Sequence, residues 1–265
     1  MRVITFLNQK GGVGKTTSCI NLGAALSLCG FKCLLVDIDP QGNLSQSAGF
    51  DDLGDDDLTT YEVLNGEDIN QAIKTKAAKA SYDILTTDIR LSAGEIELIN
   101  AERRNYLLRD ALGKIKKSYD FILIDCPPSL NIFTLMALTA AKEVIIPVQA
   151  QYLPLKGVAQ IRDTVELVKA RFNPELEITG LLLTFFHANQ NLDKDVLEAL
   201  EQAFGDKVFK TRISQNNKLG EAPGHGKDII EYSRRSNGSK QYQELAAELL
   251  GYETTEKREE KRDNE

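Results

Sequence analysis

One ten-residue stretch limits this chain more than any other. Residues 8–17 read Asn-Gln-Lys-Gly-Gly-Val-Gly-Lys-Thr-Thr, directly after the apolar run Val3-Ile4-Thr5-Phe6-Leu7 and directly before a helix-like segment from Thr17 to Cys29. Strand, glycine-rich loop and helix, in that order, is the context a phosphate-binding loop needs. Gly11, Gly12 and Gly14 carry no Cβ, so the backbone can curl and turn successive N–H groups toward phosphate oxygens. The helix that follows adds its partly positive end. Lys15 is placed to reach the β- and γ-phosphates, and the Thr16 hydroxyl to face Mg²⁺. With Val13 and Thr17, the segment from Lys10 to Thr17 is the expected nucleotide-binding loop. It departs from G-x-x-x-x-G-K-[ST] at position 9, where Gln9 stands in place of the first glycine, and it carries a second lysine, Lys10.

Beyond the loop, strand-like and helix-like segments alternate. Strands are predicted at 2–7, 33–37, 82–86, 120–125, 143–148 and 178–185, with a shorter one near 207–213. Helices are predicted at 16–29, 101–117, 130–140, 155–171, 191–204 and 238–250. Phe121-Ile122-Leu123-Ile124 and Val144-Ile145-Ile146 are continuously apolar, as strands covered on both faces are. The expected fold is therefore α/β: a single doubly wound, mostly parallel sheet with helices on both faces, over residues 1–250. Residues 251–265 follow as a charged tail, expected to be solvated and mobile.

Ligands of such sheets sit at the carboxyl ends of the strands. Asp37 and Asp39 end the second predicted strand, and Asp125 ends a later one. Any single strand-end aspartate is most simply a turn or a helix cap. Three around one phosphate loop match what a triphosphate with its Mg²⁺ requires, since that ion keeps waters held by carboxylates.

On these residues the chain resembles the ParA/MinD ATPases, phosphate-loop NTPases with a deviant Walker A motif, K-G-G-x-G-K-[ST]. The resemblance is closest to the ParA/Soj branch and runs from about Arg2 to Leu250. It extends to Val36-Asp37-Ile38-Asp39-Pro40-Gln41-Gly42-Asn43, Ile124-Asp125-Cys126-Pro127-Pro128-Ser129, Glu221-Ala222-Pro223-Gly224-His225-Gly226-Lys227 and Tyr232-Ser233-Arg234-Arg235-Ser236-Asn237-Gly238. It implies an ATPase in which Lys10, the signature lysine, crosses a dimer interface to the partner's nucleotide. Lys10, Lys15 and Asp39 are then the catalytic set. Asp39 positions the attacking water, Asp37 supports the loop, and Thr16, Asp39 and Asp125 face Mg²⁺. Residues 40–60 are the expected first switch loop. The base is expected near Ser214 and Gln215, where relatives often read Pro-Arg-Asn; the preference for ATP comes from the resemblance alone.

Net charge is −7, yet residues 207–240 hold eight basic side chains against three acidic ones. ParA-like proteins bind DNA without sequence preference, which makes Lys210, Arg212, Lys218, Arg234 and Arg235 the candidate DNA contacts. Two departures weigh against this. Asn189 and Gln215 stand where relatives carry arginines, although Lys218 keeps a charge nearby. Gln151 and Lys156 stand where relatives carry glutamates. His187 reads as a loop histidine with no evident partner. Asp51, Asp52, Asp55, Asp56 and Asp57 read as a solvated acidic loop.

At 265 residues and 42% apolar, the chain can bury a core, and no run approaches the roughly 18–20 apolar residues of a membrane span. The N-terminus shows no signal-peptide pattern, and the last thirteen residues, from Glu253, contain no large apolar side chain to enter lipid. A cytoplasmic, nucleoid-associated protein without membrane attachment is expected. Cys19, Cys29, Cys33 and Cys126 form no disulfide or C-x-x-C pattern, so reduced and mostly buried thiols are expected. Three readings follow. The first is a partition ATPase: an ATP-bound homodimer binds nucleoid DNA, and a ParB/Spo0J-like activator protein stimulates hydrolysis and release. The second is the same switch positioning a protein cargo, such as a chemoreceptor array, with weak or no DNA binding. The third, a metabolic or iron–sulfur-transfer enzyme, needs ligand cysteines at a spacing this chain lacks.

Overall fold

Along the strand Phe121–Asp125, successive side chains leave the sheet on opposite faces. Phe121 and Leu123 enter one core and Ile122 and Ile124 the other. That is the two-residue period of a strand covered on both sides. The computed structural model describes residues 1–78, 81–150 and 154–252. Gln151 and the tail from Glu253 onward, on which expectations were placed, lie outside the described residues.

Eight strands form one sheet: β1 (Arg2–Phe6), β2 (Cys33–Asp37), β3 (Ile73–Lys76), β4 (Tyr82–Leu85), β5 (Phe121–Asp125), β6 (Glu143–Gln149), β7 (Glu177–Phe186) and β8 (Ile213–Ser214). Their order is β3-β4-β2-β5-β1-β6-β7-β8. Every neighbouring pair is parallel except β3 with β4. The helices are α1 (Lys15–Leu28), α2 (Asn43–Ser47), α3 (Thr60–Leu64), α4 (Ile69–Ala72), α5 (Leu91–Glu97), α6 (Leu107–Leu112), α7 (Ile132–Ala140), α8 (Pro154–Arg171), α9 (Asn191–Phe204), α10 (Asn217–Glu221), α11 (Ile229–Ser233) and α12 (Asn237–Leu249). One core holds apolar residues of α3, α6, α7 and α8; the other holds those of α1, α11 and α12. The fold is the expected doubly wound α/β sheet.

Helix α1 lies so close to the sheet that a Cβ on Gly23 would stand 2.5 Å from the Leu35 side chain. This proximity sets the height of the phosphate loop above the strand ends, because α1 begins where the loop stops.

Two expectations fail locally. The helix expected over 101–117 is only α6 and a preceding turn of 3₁₀ helix. Arg103 adopts a left-handed φ of 55°, and after Leu112 the N–H groups of Lys114 and Ile115 close turns on Ala111 and Leu112. The strand expected over 207–213 shrinks to Ile213–Ser214. Glu248 of α12 takes the N–H groups of Lys210 and Thr211 at 2.6 and 2.8 Å, so they are unavailable to a sheet ladder. Conversely β3 was not expected: Ile73-Lys74-Thr75-Lys76 is an edge strand with two lysines, which has no apolar run to betray it.

Candidate functional site

The expected phosphate loop is shaped by backbone that only glycine adopts easily. Gly12 and Gly14 have φ of +74° and +85°, and nothing lies within 4 Å of a Cβ built on Gly11 or Gly12. Both flanks are pinned. Asn8 donates to the Pro147 carbonyl at 2.7 Å and accepts from the Lys10 N–H at 3.0 Å. On the far side the Thr184 hydroxyl donates to the Val13 carbonyl at 2.9 Å. Neighbouring strands β6 and β7 thus hold the loop that β1 feeds.

Lys15, 7% exposed, crosses back to the Lys10 carbonyl at 3.5 Å. Burial pulls its pKa down, opposed by Asp125, Cys126 and Asp39 nearby. Lys10 itself is exposed. Thr16 donates its hydroxyl to Asp125 Oδ2 at 2.6 Å. The other carboxylate oxygen, Asp125 Oδ1, is buried without a hydrogen-bond partner. Burial pushes Asp125 up to about 7, with the Thr16 hydrogen bond and Lys15 pulling the other way. An orphaned buried carboxylate oxygen beside a threonine hydroxyl fits a hydrated divalent cation, which supplies the missing donor.

Asp37 and Asp125 are register partners on adjacent strands. Burial, then the Asp125 charge, raises the Asp37 pKa well above the ordinary carboxylate range. Both of its oxygens are engaged, accepting from the Asp39 N–H at 3.2 Å and from both the N–H and the hydroxyl of Ser45 at 2.8 Å. Ser45 in turn accepts from the Thr87 N–H at 2.9 Å. This chain of contacts ties the loop after β2, the start of α2 and the end of β4 into one unit. Asp39 is 5% exposed and accepts from the Gln41 N–H at 3.0 Å; its second oxygen has no such tie among the described residues.

From the loop a cleft of about 400 Å³ runs along Gly14 and Thr17 to Ser214, Gln215 and Asn216. The expected base residues and the phosphate loop therefore share one cavity. Phe185 and Tyr242 also line it. Sequence reasoning missed both. Phe185 sits at a register break in the β7–β8 pairing and has a φ of +53°, which is costly for an aromatic residue. No local pattern announces a bulge of that kind. Tyr242 lies on α12 and reaches Ser18 of α1 at 3.2 Å, a contact across more than two hundred residues.

The basic candidates are dispersed. Arg212 pairs with Glu201 at 3.3 Å and lies over the Phe186 ring, and Lys218 pairs with Glu221 at 2.7 Å. Lys210 is exposed, as are Arg234 and Arg235 on the turn between α11 and α12. His187, expected to stand alone, is held by buried Asp193: its main-chain N–H donates at 2.5 Å and its ring lies 3.6 Å away. The acidic loop is anchored, with Asp57 paired to Lys74 at 2.6 Å and Arg90 on the Asp55 and Asp57 carbonyls. All four cysteines are free, with Cys29 exposed and the others buried. Among the described residues no helix is long and apolar enough to cross a membrane.

A family model described as an AAA domain matches residues 1–178. The sporulation initiation inhibitor protein Soj of Bacillus subtilis (strain 168) is 45% identical over 249 residues, covering 94% of this chain and 98% of that protein. The chromosome partitioning protein ParA of Caulobacter vibrioides is 43% identical over 259 residues, covering 96% and 95%. Among solved structures, cobyrinic acid a,c-diamide synthase from Mycobacterium smegmatis, with bound ATP analog and magnesium, superposes with a TM-score of 0.81 at 34% identity, covering 94% of each chain.

Proposed function

The chain belongs to the ParA/Soj family of partition ATPases, and from that premise we propose that it is a dimerising ATP switch for moving DNA. The observation that carries the nucleotide part is the Thr16–Asp125 contact with its orphaned second oxygen, at the head of a cleft of nucleotide size. In this reading the loop N–H groups and Lys15 hold the β- and γ-phosphates. Thr16 and Asp125, with Asp39 close by, would hold Mg²⁺, whose charge offsets that of the phosphates when bound. Asp39 orients the attacking water with its untied oxygen. Exposed Lys10 supplies a positive charge to the nucleotide of a second copy, so that hydrolysis waits for dimerisation.

ATP binding then closes two copies and aligns basic side chains across them for DNA phosphates. A ParB-like activator protein completes the cycle by stimulating hydrolysis and release, which makes the chain a cytoplasmic, nucleoid-associated partition ATPase. The test uses Asp39→Ala, measured against random-sequence DNA with ATP and without nucleotide, across a salt series. ATP-dependent and salt-sensitive binding supports the reading. A nucleotide-loaded dimer that ignores DNA would reject it. The second reading, positioning of a protein cargo, is favoured by one observation: Arg212 and Lys218 already hold carboxylates of their own chain.

A further inference from the structure

Ser214 lines the same cleft as Gly14 and Thr17, and α12 holds it there. Its main-chain N–H and its Oγ both lie 3.1 Å from Oε1 of Gln241. A main-chain N–H can only donate, so the Gln241 atom facing it must be the amide oxygen. An amide oxygen can only accept, so the Ser214 hydroxyl proton is turned toward Gln241 as well. What the hydroxyl has left to offer is lone pairs. The segment leading into its strand is held by the same helix, because Glu248 takes the N–H groups of Lys210 and Thr211.

We propose that Gln241 is a positioning residue for base selection: by holding the Ser214 hydroxyl as a pure acceptor, it makes the cleft select a purine with an amino group at position 6. The inference rests on the nucleotide reading of this site. Adenine offers a 6-amino donor, whereas guanine and hypoxanthine offer a carbonyl at the same position. A carbonyl brought against a hydroxyl that cannot donate leaves two acceptors facing each other without a proton between them. The penalty for such an unpaired group exceeds the gain from the bond it replaces. If Gln241 lacked its acceptor, the hydroxyl could rotate and donate, and the preference would vanish.

The experiment measures calorimetric affinities for ADP, IDP and inorganic tripolyphosphate, each with Mg²⁺, on the wild type, Gln241→Leu, Gln241→Glu and Ser214→Ala. The wild type is expected to favour ADP over IDP by about tenfold. Gln241→Leu and Ser214→Ala should bring that ratio to near one, while Gln241→Glu, which keeps an acceptor, should preserve it. Tripolyphosphate should bind all four alike. A merely structural role for Gln241 would weaken ADP and IDP by a common factor and leave their ratio intact, and that result overturns the inference. So does a wild type that binds tripolyphosphate but treats ADP and IDP equally. A wild type that binds none of the three removes the nucleotide reading itself. Should Gln241→Leu fail to fold, Gln241→Met, which likewise lacks an acceptor, decides the matter by the same ratio.

Discussion

Two lysines five residues apart meet opposite surroundings. Lys15 is buried near carboxylates and reaches its own loop; Lys10 is exposed. A buried ammonium can serve only its own site, whereas an exposed one can serve another molecule. Lys10→Ala should therefore remove ATP turnover and weaken the ATP-dependent dimer, while leaving monomer nucleotide affinity within a few-fold. Phosphate release and sedimentation read the two effects separately. Asp39→Ala should also stop turnover but accumulate the dimer, because an aspartate oxygen that orients water contributes to hydrolysis rather than to association. Normal turnover by purified Asp39→Ala would exclude that role. The left-handed glycines of the loop were legible in the sequence, because a tight turn between a strand and a helix demands glycine at such positions. The conformations of Phe185 and the partner of His187 were not, since a register break and a contact to Asp193 depend on how β7 and α9 meet.

Between elements, α1 approaches the sheet closely and β1 is tied to β6 and α12. Gly23→Ala would force a methyl into the Leu35 side chain, and overpacking of that kind costs about 1–3 kcal/mol. Urea unfolding should show that loss, with nucleotide affinity falling as α1 lifts the loop. Arg2 grips Glu143 on β6 with two bonds of 2.8 and 2.7 Å and also caps the Leu249 carbonyl at the end of α12. Burial works to raise the Glu143 pKa, but the bonds from Arg2 and Thr179 prevail and hold it below its ordinary 4.5. A depressed carboxylate pKa means that the unfolded chain binds the proton more readily. The stabilisation is therefore complete above about pH 4.5 and is lost as pH falls through the lower native value. Arg2→Ala should cost about 1 kcal/mol at pH 7, a charge-assisted contact discounted for partial exposure, and progressively less in acid. Thermal melts of both proteins from pH 3 to 8 would show the difference closing; a constant gap would mean that packing, not charge, is what Arg2 contributes. Most of the parallel strands could be read from their apolar runs. β3 could not, because an edge strand guarded by lysines resembles a loop.

For the whole molecule, net charge and local charge point in opposite directions, and the proposed DNA binding depends on the local term. Arg234 and Arg235 stand exposed on the turn between α11 and α12, unlike Arg212 and Lys218, which hold carboxylates. If they contact DNA phosphates, replacing both with alanine should weaken ATP-dependent DNA binding at every sequence and lower the salt slope by about 2. An unchanged slope would place the DNA surface elsewhere.

By itself the sequence determined the class of fold, the glycine-rich loop between β1 and α1 and the acidic strand ends, because each is encoded within a short stretch whose chemistry admits few alternatives. Tertiary structure alone decided the rest. It joined Ser214 and the loop around one cleft, set Gln241 against Ser214, orphaned one oxygen of Asp125, and spent Arg212 and Lys218 on internal partners. Those are relations between residues far apart in the chain, and no local pattern carries the distance at which two side chains meet.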